Sequence, residues 1–157
     1  MVLEQLKQAL AVCRMHREAL QDALEDLEVR PFCQEWLAQL SREDRRLLDQ
    51  FAYRFLRLQD TIGQQLIPSI LRALGEPVEE MPVIDRLNRL EQLGWLSSAD
   101  EWMMLRRIRN ELTHDYPQTL EERLETLKMA RSAAYRLLEV FEQLEERITT
   151  RFPELVG

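Results

Sequence analysis

The chain has 157 residues, 45% hydrophobic and 31% charged, a balance that sustains one packed domain and excludes intrinsic disorder. Its net charge of -7 and pI of about 5.0 exclude a protein that coats nucleic acid through bulk positive charge, though not one with a local basic site. No stretch reaches the ~18 apolar residues of a membrane span. Met1-Val2-Leu3-Glu4-Gln5 lacks the charged-then-apolar pattern of a secretory leader, so a cytoplasmic location is expected.

Leu, Glu, Arg, Gln and Ala dominate, all good helix formers, while Val and Thr are scarce. In the first segment Leu3, Leu6, Leu10, Cys13, Leu20, Leu24 and Leu27 recur at three- and four-residue spacing, which predicts an amphipathic helix. Arg17 interrupts that stripe, so it either snorkels out or meets a carboxylate. Pro31 can open a short helical piece with Phe32, Trp36, Leu37 and Leu40. Ser41-Arg42-Glu43-Asp44 reads as an N-cap. It launches a long helix with the stripe Leu48, Phe51, Phe55, Leu58, Ile62, Leu66 and Ile70. Pro68 should kink that helix, and Gly75 and Pro77 should end it.

A loop over 76–82 precedes a short helix from Pro82 to Leu93, with Ile84, Leu87 and Leu90 inward and Gly94 closing it. Ser98-Ala99-Asp100-Glu101 reads as a capping box for a helix carrying Trp102, Leu105, Ile108 and Leu112, which should stop near His114 because of Pro117. Thr119-Leu120-Glu121-Glu122 is a second box. It opens a last long helix with Leu120, Leu124, Leu127, Ala134, Leu138, Phe141, Leu144 and Ile148 on one face. The expected fold is all-α, an antiparallel up-and-down bundle of about four principal helices with one or two short ones. Residues 1–150 form the single domain, and 151–157 a frayed tail.

Cys13 and Cys33 have neither zinc-ligand spacing nor a need for a disulfide, so free thiols are expected. Phosphate-cradling glycine loops, HExxH and nucleophile elbows are absent, and no metal or cofactor is expected. Of the two histidines, His16 reads as a surface or half-buried helical residue. His114 follows Arg106-Arg107-Ile108-Arg109-Asn110 at a helix end and is followed by Tyr116 and Pro117. A forked guanidinium grips phosphate, and an imidazole moves protons near neutral pH. Together they suffice to cleave a phosphodiester without metal, with the imidazole acting on the ribose 2′-OH or the leaving oxygen. On chemistry alone, the same residues also suit a helix C-terminus and its dipole. Arg109 and His114 do not share a helix face, whereas Asn110 and His114 do. Helix distortion, long side chains or two copies meeting at a dimer seam can join them, and the seam is favoured.

At these residues the sequence resembles the HEPN superfamily. Its signature is an arginine, often followed by Asn, then a histidine a few residues on, here Arg109, Asn110 and His114. With Tyr116 the pattern becomes Arg-x4-His-x-Tyr, similar to the toxin branch paired with a minimal nucleotidyltransferase antitoxin. The motif covers Arg109 to Tyr116, while the architectural likeness covers most of the chain. The resemblance implies a helical bundle that dimerises around a shared cleft and a metal-independent endoribonuclease toxin. In that family picture Arg109 and His114 are catalytic, and Asn110 orients the site or binds phosphate. Tyr116 matches the tyrosine that the antitoxin modifies with AMP, which would block RNA entry. Arg106 and Arg107 would join Arg109 from two subunits in a basic patch that the net charge conceals. Arg54 and Arg57 extend that cleft or lie on a solvated face. Asp60 is a surface carboxylate or an ion-pair partner, and Gly63 permits close packing or the kink. Two further readings stay open. One is a non-catalytic partner subunit that presents substrate to the nucleotidyltransferase, and the other is a plain helical interaction protein.

Overall fold

The apolar stripes become helices, and the caps set their ends. In the computed structural model, which describes residues 1–114 and 117–155, the described residues are helices and connecting turns with no strand. The first helix, α1 (Val2–Glu28), buries Leu6, Leu10, Cys13, Leu20, Leu24 and Leu27. A single turn and a half, α2 (Gln34–Ala38), leads to α3 (Arg42–Thr61). The Ser41 hydroxyl accepts from the Asp44 N–H at 3.0 Å, the N-cap expected there. The Asp44 carboxylate in turn accepts from Arg30 Nε at 2.8 Å and Trp36 Nε1 at 2.9 Å, which ties the α1–α3 connection to the first turn of α3. These two donors, Arg30 first, hold the Asp44 carboxyl below the usual carboxylate range.

Past Thr61 the chain widens into one π-helical turn, Ile62–Leu66, before α4 (Ile67–Ala73). Pro68 has no N–H, and its ring crowds the carbonyl four residues back, so a tight α-turn cannot run through it. The Ile67 N–H reaches five residues back to the Ile62 carbonyl, and this extra residue relieves the crowding. The kink expected at Pro68 is therefore a wide turn just before it.

Gly75 and Gly94 adopt φ of 84° and 80° and close α4 and α5 (Val83–Gln92) in the left-handed region that favours glycine. The remaining helices are α6 (Ala99–Leu112) and α7 (Leu120–Arg151). Residue pairs give the directions. Arg14 and Arg17 meet Glu145 while Glu28 meets Tyr135, so α1 and α7 run antiparallel. Asp60 meets Arg109 while Gly63 faces Trp102, so α3, continued by the π-turn, and α6 do the same.

Arg17 thus meets a carboxylate, Glu145 Oε1, at 2.7 Å and also lies over the Phe141 ring. Burial alone would raise the Glu145 carboxyl, but hydrogen bonds from Arg14 and Arg17 outweigh it and hold the group low. The box at Thr119 forms in both directions. At Ser98 only half forms, because the Glu101 carboxylate turns to Arg136 of α7 at 2.8 and 2.9 Å. Two stripe residues point outward, Ile84 at 46% exposure and Leu120 at 41%. On α7, Leu137 is buried while Leu138 is only partly so. Phe152, expected to fray, is buried in the core. Both cysteines are free, and burial, then Glu145, pushes the Cys13 thiol up to about 12.

His16 is buried at 3% exposure, with Nδ1 3.0 Å from Arg54 Nη1. Burial first, then the charges of Arg54 and Arg57, lower its pKa below the usual 6.5. The folded state holds this imidazole neutral, whereas the unfolded chain protonates it below 6.5. Its stabilising contribution is therefore complete above that value and is lost as the pH falls through the lower folded pKa. The thermal midpoint is expected to drop between about pH 7 and about pH 5, and His16→Gln should flatten that slope. Identical slopes in the two proteins would contradict the assignment.

Candidate functional site at the end of α6

On α6, residues 102, 106, 109 and 110 fall at spacings that share one helix face. Ser98 fixes the start of the helix by accepting from the Glu101 N–H at 3.0 Å. This sets the phase that turns Trp102, Arg106 and Arg109 toward the end of α3. Arg109 sits in the last turn, where a cation complements the helix dipole. Its Nε and Nη2 donate to the two oxygens of Asp60 at 3.1 and 2.7 Å, a forked pair with each side chain about three-quarters buried. Its Nη1 donates to Asn110 Oδ1 at 3.0 Å. The guanidinium is thereby fixed in plane and direction.

Beside this pair lies a cavity of about 190 Å³. The end of α3, the π-turn, α5 and α6 wall it. Trp102, buried at 3% exposure, forms part of its lining. A Cβ on Gly63 would stand 3.3 Å from Trp102 Cζ2, so the missing side chain lets the ring approach the π-turn. Arg86, Arg106 and Arg109 contribute to the same cavity, against Asp60 as the acidic group. Arg86 donates to the carbonyls of Met81 and Val78 at 3.0 and 3.1 Å, which orient its charge without cancelling it. Arg106 forms no ion pair among the described residues. A chain of net charge -7 therefore concentrates positive charge here, an arrangement suited to an anion such as a phosphate.

His114 is placed differently. It follows the end of α6, its N–H donates to the Glu111 carbonyl at 3.3 Å, and the residue is exposed. It contributes to a second cavity of about 440 Å³, together with Asp49 of α3 and Arg123 of α7. Because α6 ends at Leu112, His114 lies beyond the helix, and it does not share the face of Asn110 that their four-residue spacing suggests. Within one chain Arg106, Arg109 and Asn110 are brought together, and His114 opens elsewhere. Arg107 lines neither cavity. Tyr116 lies outside the described residues.

No family model, curated protein or solved structure matches the chain. Asp60 is an ion-pair partner rather than a lone surface carboxylate, and Gly63 serves close packing. Arg54 turns to His16 and, like Arg57, stays out of the Arg109 cavity. Trp95 and Trp102 are buried, and Trp36 stacks on Phe32 with centroids 5.2 Å apart.

Gln59 and Arg86 were not singled out by the sequence pattern. Gln59 is 2% exposed, lines the Arg109 cavity, and has no partner for either amide atom. A buried amide left unpaired costs about 1–3 kcal/mol, so its presence needs a reason. The signal was available. Gln59 lies four residues after Phe55 and eight after Phe51, on the core-facing stripe.

Proposed function

We propose that the chain is a metal-independent endoribonuclease of the HEPN type, the toxin of a pair with a nucleotidyltransferase antitoxin, acting as a homodimer. The observation that carries this reading is the Asp60-clamped Arg109, held with Arg106 and Asn110 around a positively charged cavity in an acidic chain. In the reaction Arg109 stabilises the charge growing on the phosphorus oxygens. His114 takes the proton from the ribose 2′-OH or gives one to the leaving oxygen. Because the two residues open into different cavities of one chain, the competent site pairs Arg109 of one protomer with His114 of the other. Asp60 is a positioning residue that keeps the guanidinium fork in one orientation.

The test is cleavage of single-stranded RNA by the purified dimer in EDTA. Cleavage products are expected, and intact RNA after prolonged incubation with a well-folded dimer would overturn the enzyme assignment. One observation favours the second reading, a non-catalytic subunit that presents substrate to the nucleotidyltransferase. Both donors on the Arg109 edge that faces Asp60, Nε and Nη2, are already engaged, which suits a binding role that needs only the residual charge. An inert protein that the partner enzyme labels with AMP on Tyr116 would establish that alternative.

A further inference from the structure

Where α1 packs along α3, a cluster of positive charge stands apart from the Arg109 cavity, which neither of its arginines lines. Arg54 and Arg57 lie one turn apart on α3, and both bear on the buried His16 of α1. Arg17, Arg109 and Arg136 each cross between helices to a carboxylate. Arg54 instead donates from Nη1 to His16 Nδ1 at 3.0 Å. A guanidinium only donates, so Nδ1 accepts and the ring is neutral. The imidazole therefore aims Arg54 without cancelling its charge. Tyr53 packs its ring 5.3 Å from the same guanidinium carbon, which also leaves the charge in place. Arg57 is half-buried, its Nε has no acceptor, and it forms no ion pair among the described residues. The acids nearest in sequence do not answer these charges. On α1 the residues one turn from His16 are Val12, Cys13, Ala19 and Leu20. On α3 the carboxylate within a turn of Arg57 is Asp60, and Arg109 takes both its oxygens. Like charges one turn apart on a helix repel, and partial burial limits their screening by salt. In a chain of net charge -7, two arginines are thus held together at a cost that an anion would remove.

We infer that Arg54 and Arg57 form a binding site for a phosphate group, with His16 as the residue that positions Arg54. A tetrahedral phosphate has separate oxygens for both guanidinium groups at once, and its charge offsets their repulsion. Chloride offers charge without those separate acceptors. The phosphate can be free, as inorganic phosphate, or belong to the backbone of an RNA. The site itself rests neither on the ribonuclease reading nor on the Arg109 cavity.

The experiment follows the thermal midpoint of the purified protein at about pH 8, where phosphate is mostly a dianion, as sodium phosphate is titrated against sodium chloride at matched ionic strength. Phosphate should raise the midpoint beyond chloride, in the wild type and in Arg109→Ala alike. In the Arg109→Ala background the Arg109 cavity is disarmed, and the further variants are compared there. Arg54→Ala and Arg57→Ala should each weaken phosphate by about tenfold. Arg45→Ala, the loss of an exposed charge on the same helix, should leave the affinity unchanged. His16→Leu, which removes the acceptor that aims Arg54, should weaken phosphate by about fivefold, and His16→Gln, which restores an acceptor, should recover it. No phosphate-specific rise, a rise lost through Arg109→Ala alone, or equal weakening by Arg45→Ala would overturn the site. Equal affinities in His16→Leu and His16→Gln would remove His16 from it. A short single-stranded RNA with hydroxyl ends separates the two sources. RNA that lowers the apparent phosphate affinity of the Arg109→Ala protein assigns the site to RNA, and RNA that leaves it unchanged assigns the site to free phosphate.

Discussion

Arg109→Ala and His114→Ala are each expected to lower RNA cleavage in EDTA by about 10²- to 10⁴-fold, with cooperative unfolding retained. The two changes act on different steps of one reaction. Alanine at 109 removes the charge facing the phosphate. It also leaves Asp60 without its partner, but that carboxylate is 24% exposed and water can reach it. The accompanying loss of stability is therefore about 1 kcal/mol. Alanine at 114 removes the proton carrier from an exposed position, where the stability change should stay within about 0.5 kcal/mol. Arg109→Lys should fall in between for cleavage, since lysine keeps the charge and loses the fork that engages Asp60 and phosphate together. Full cleavage by either alanine variant would remove these residues from the chemistry.

The largest stability effect is expected at Phe55. Its side chain is fully buried on the inner face of α3, tilted against Phe51 with centroids 6.2 Å apart. Phe55→Ala deletes a ring from a fully buried position on α3, which packs along α1. The cost should be about 3–5 kcal/mol from the lost burial and the void left behind. It should appear as a lower urea midpoint with an unchanged slope. Tyr53, on the same helix but 53% exposed, provides the control. Tyr53→Ala should shift stability by no more than about 0.5 kcal/mol. Equal losses at the two positions would contradict the packing described here. Phe55 also lies four and five residues before Gln59 and Asp60, so loosening it should blur the cavity as well.

The periodic leucines and phenylalanines made the helices legible, because burial imposes a 3.6-residue repeat on any helix that packs by one face. Ser41, Ser98 and Thr119 were legible because a hydroxyl before an acidic first turn satisfies orphan N–H groups. Less accessible were effects that need a partner distant in sequence. Glu101 looked like a reciprocal cap, but Arg136, 35 residues away, competes for its carboxylate. Ile84 and Leu120 have apolar side chains at the right spacing, yet each sits at a helix start where no neighbour covers it. The wide turn before Pro68 was visible only as a proline in a helical pattern, since the sequence fixes the defect and not where the backbone absorbs it.

The site divides the same way. Arg109, Asn110 and His114 stood out through residue chemistry within a short segment. Spacing put Asn110 and His114 on one face and Arg109 off it, whereas Asn110 stays with Arg109 and His114 opens elsewhere, because α6 ends at Leu112 before the helical spacing reaches His114. The roles of Asp60, Arg86 and Gln59 depend on how α3, α5 and α6 meet, which no local pattern encodes.

A mixing experiment tests the two-chain site most directly. Arg109→Ala and His114→Ala proteins, each inactive alone, are unfolded together in equal amounts and refolded. With Arg109 and His114 contributed by opposite protomers, half the dimers are mixed and each mixed dimer holds one intact site, so activity should return to about a quarter of the wild-type level. A mixture that exchanges subunits and stays as inactive as its parents would contradict the account.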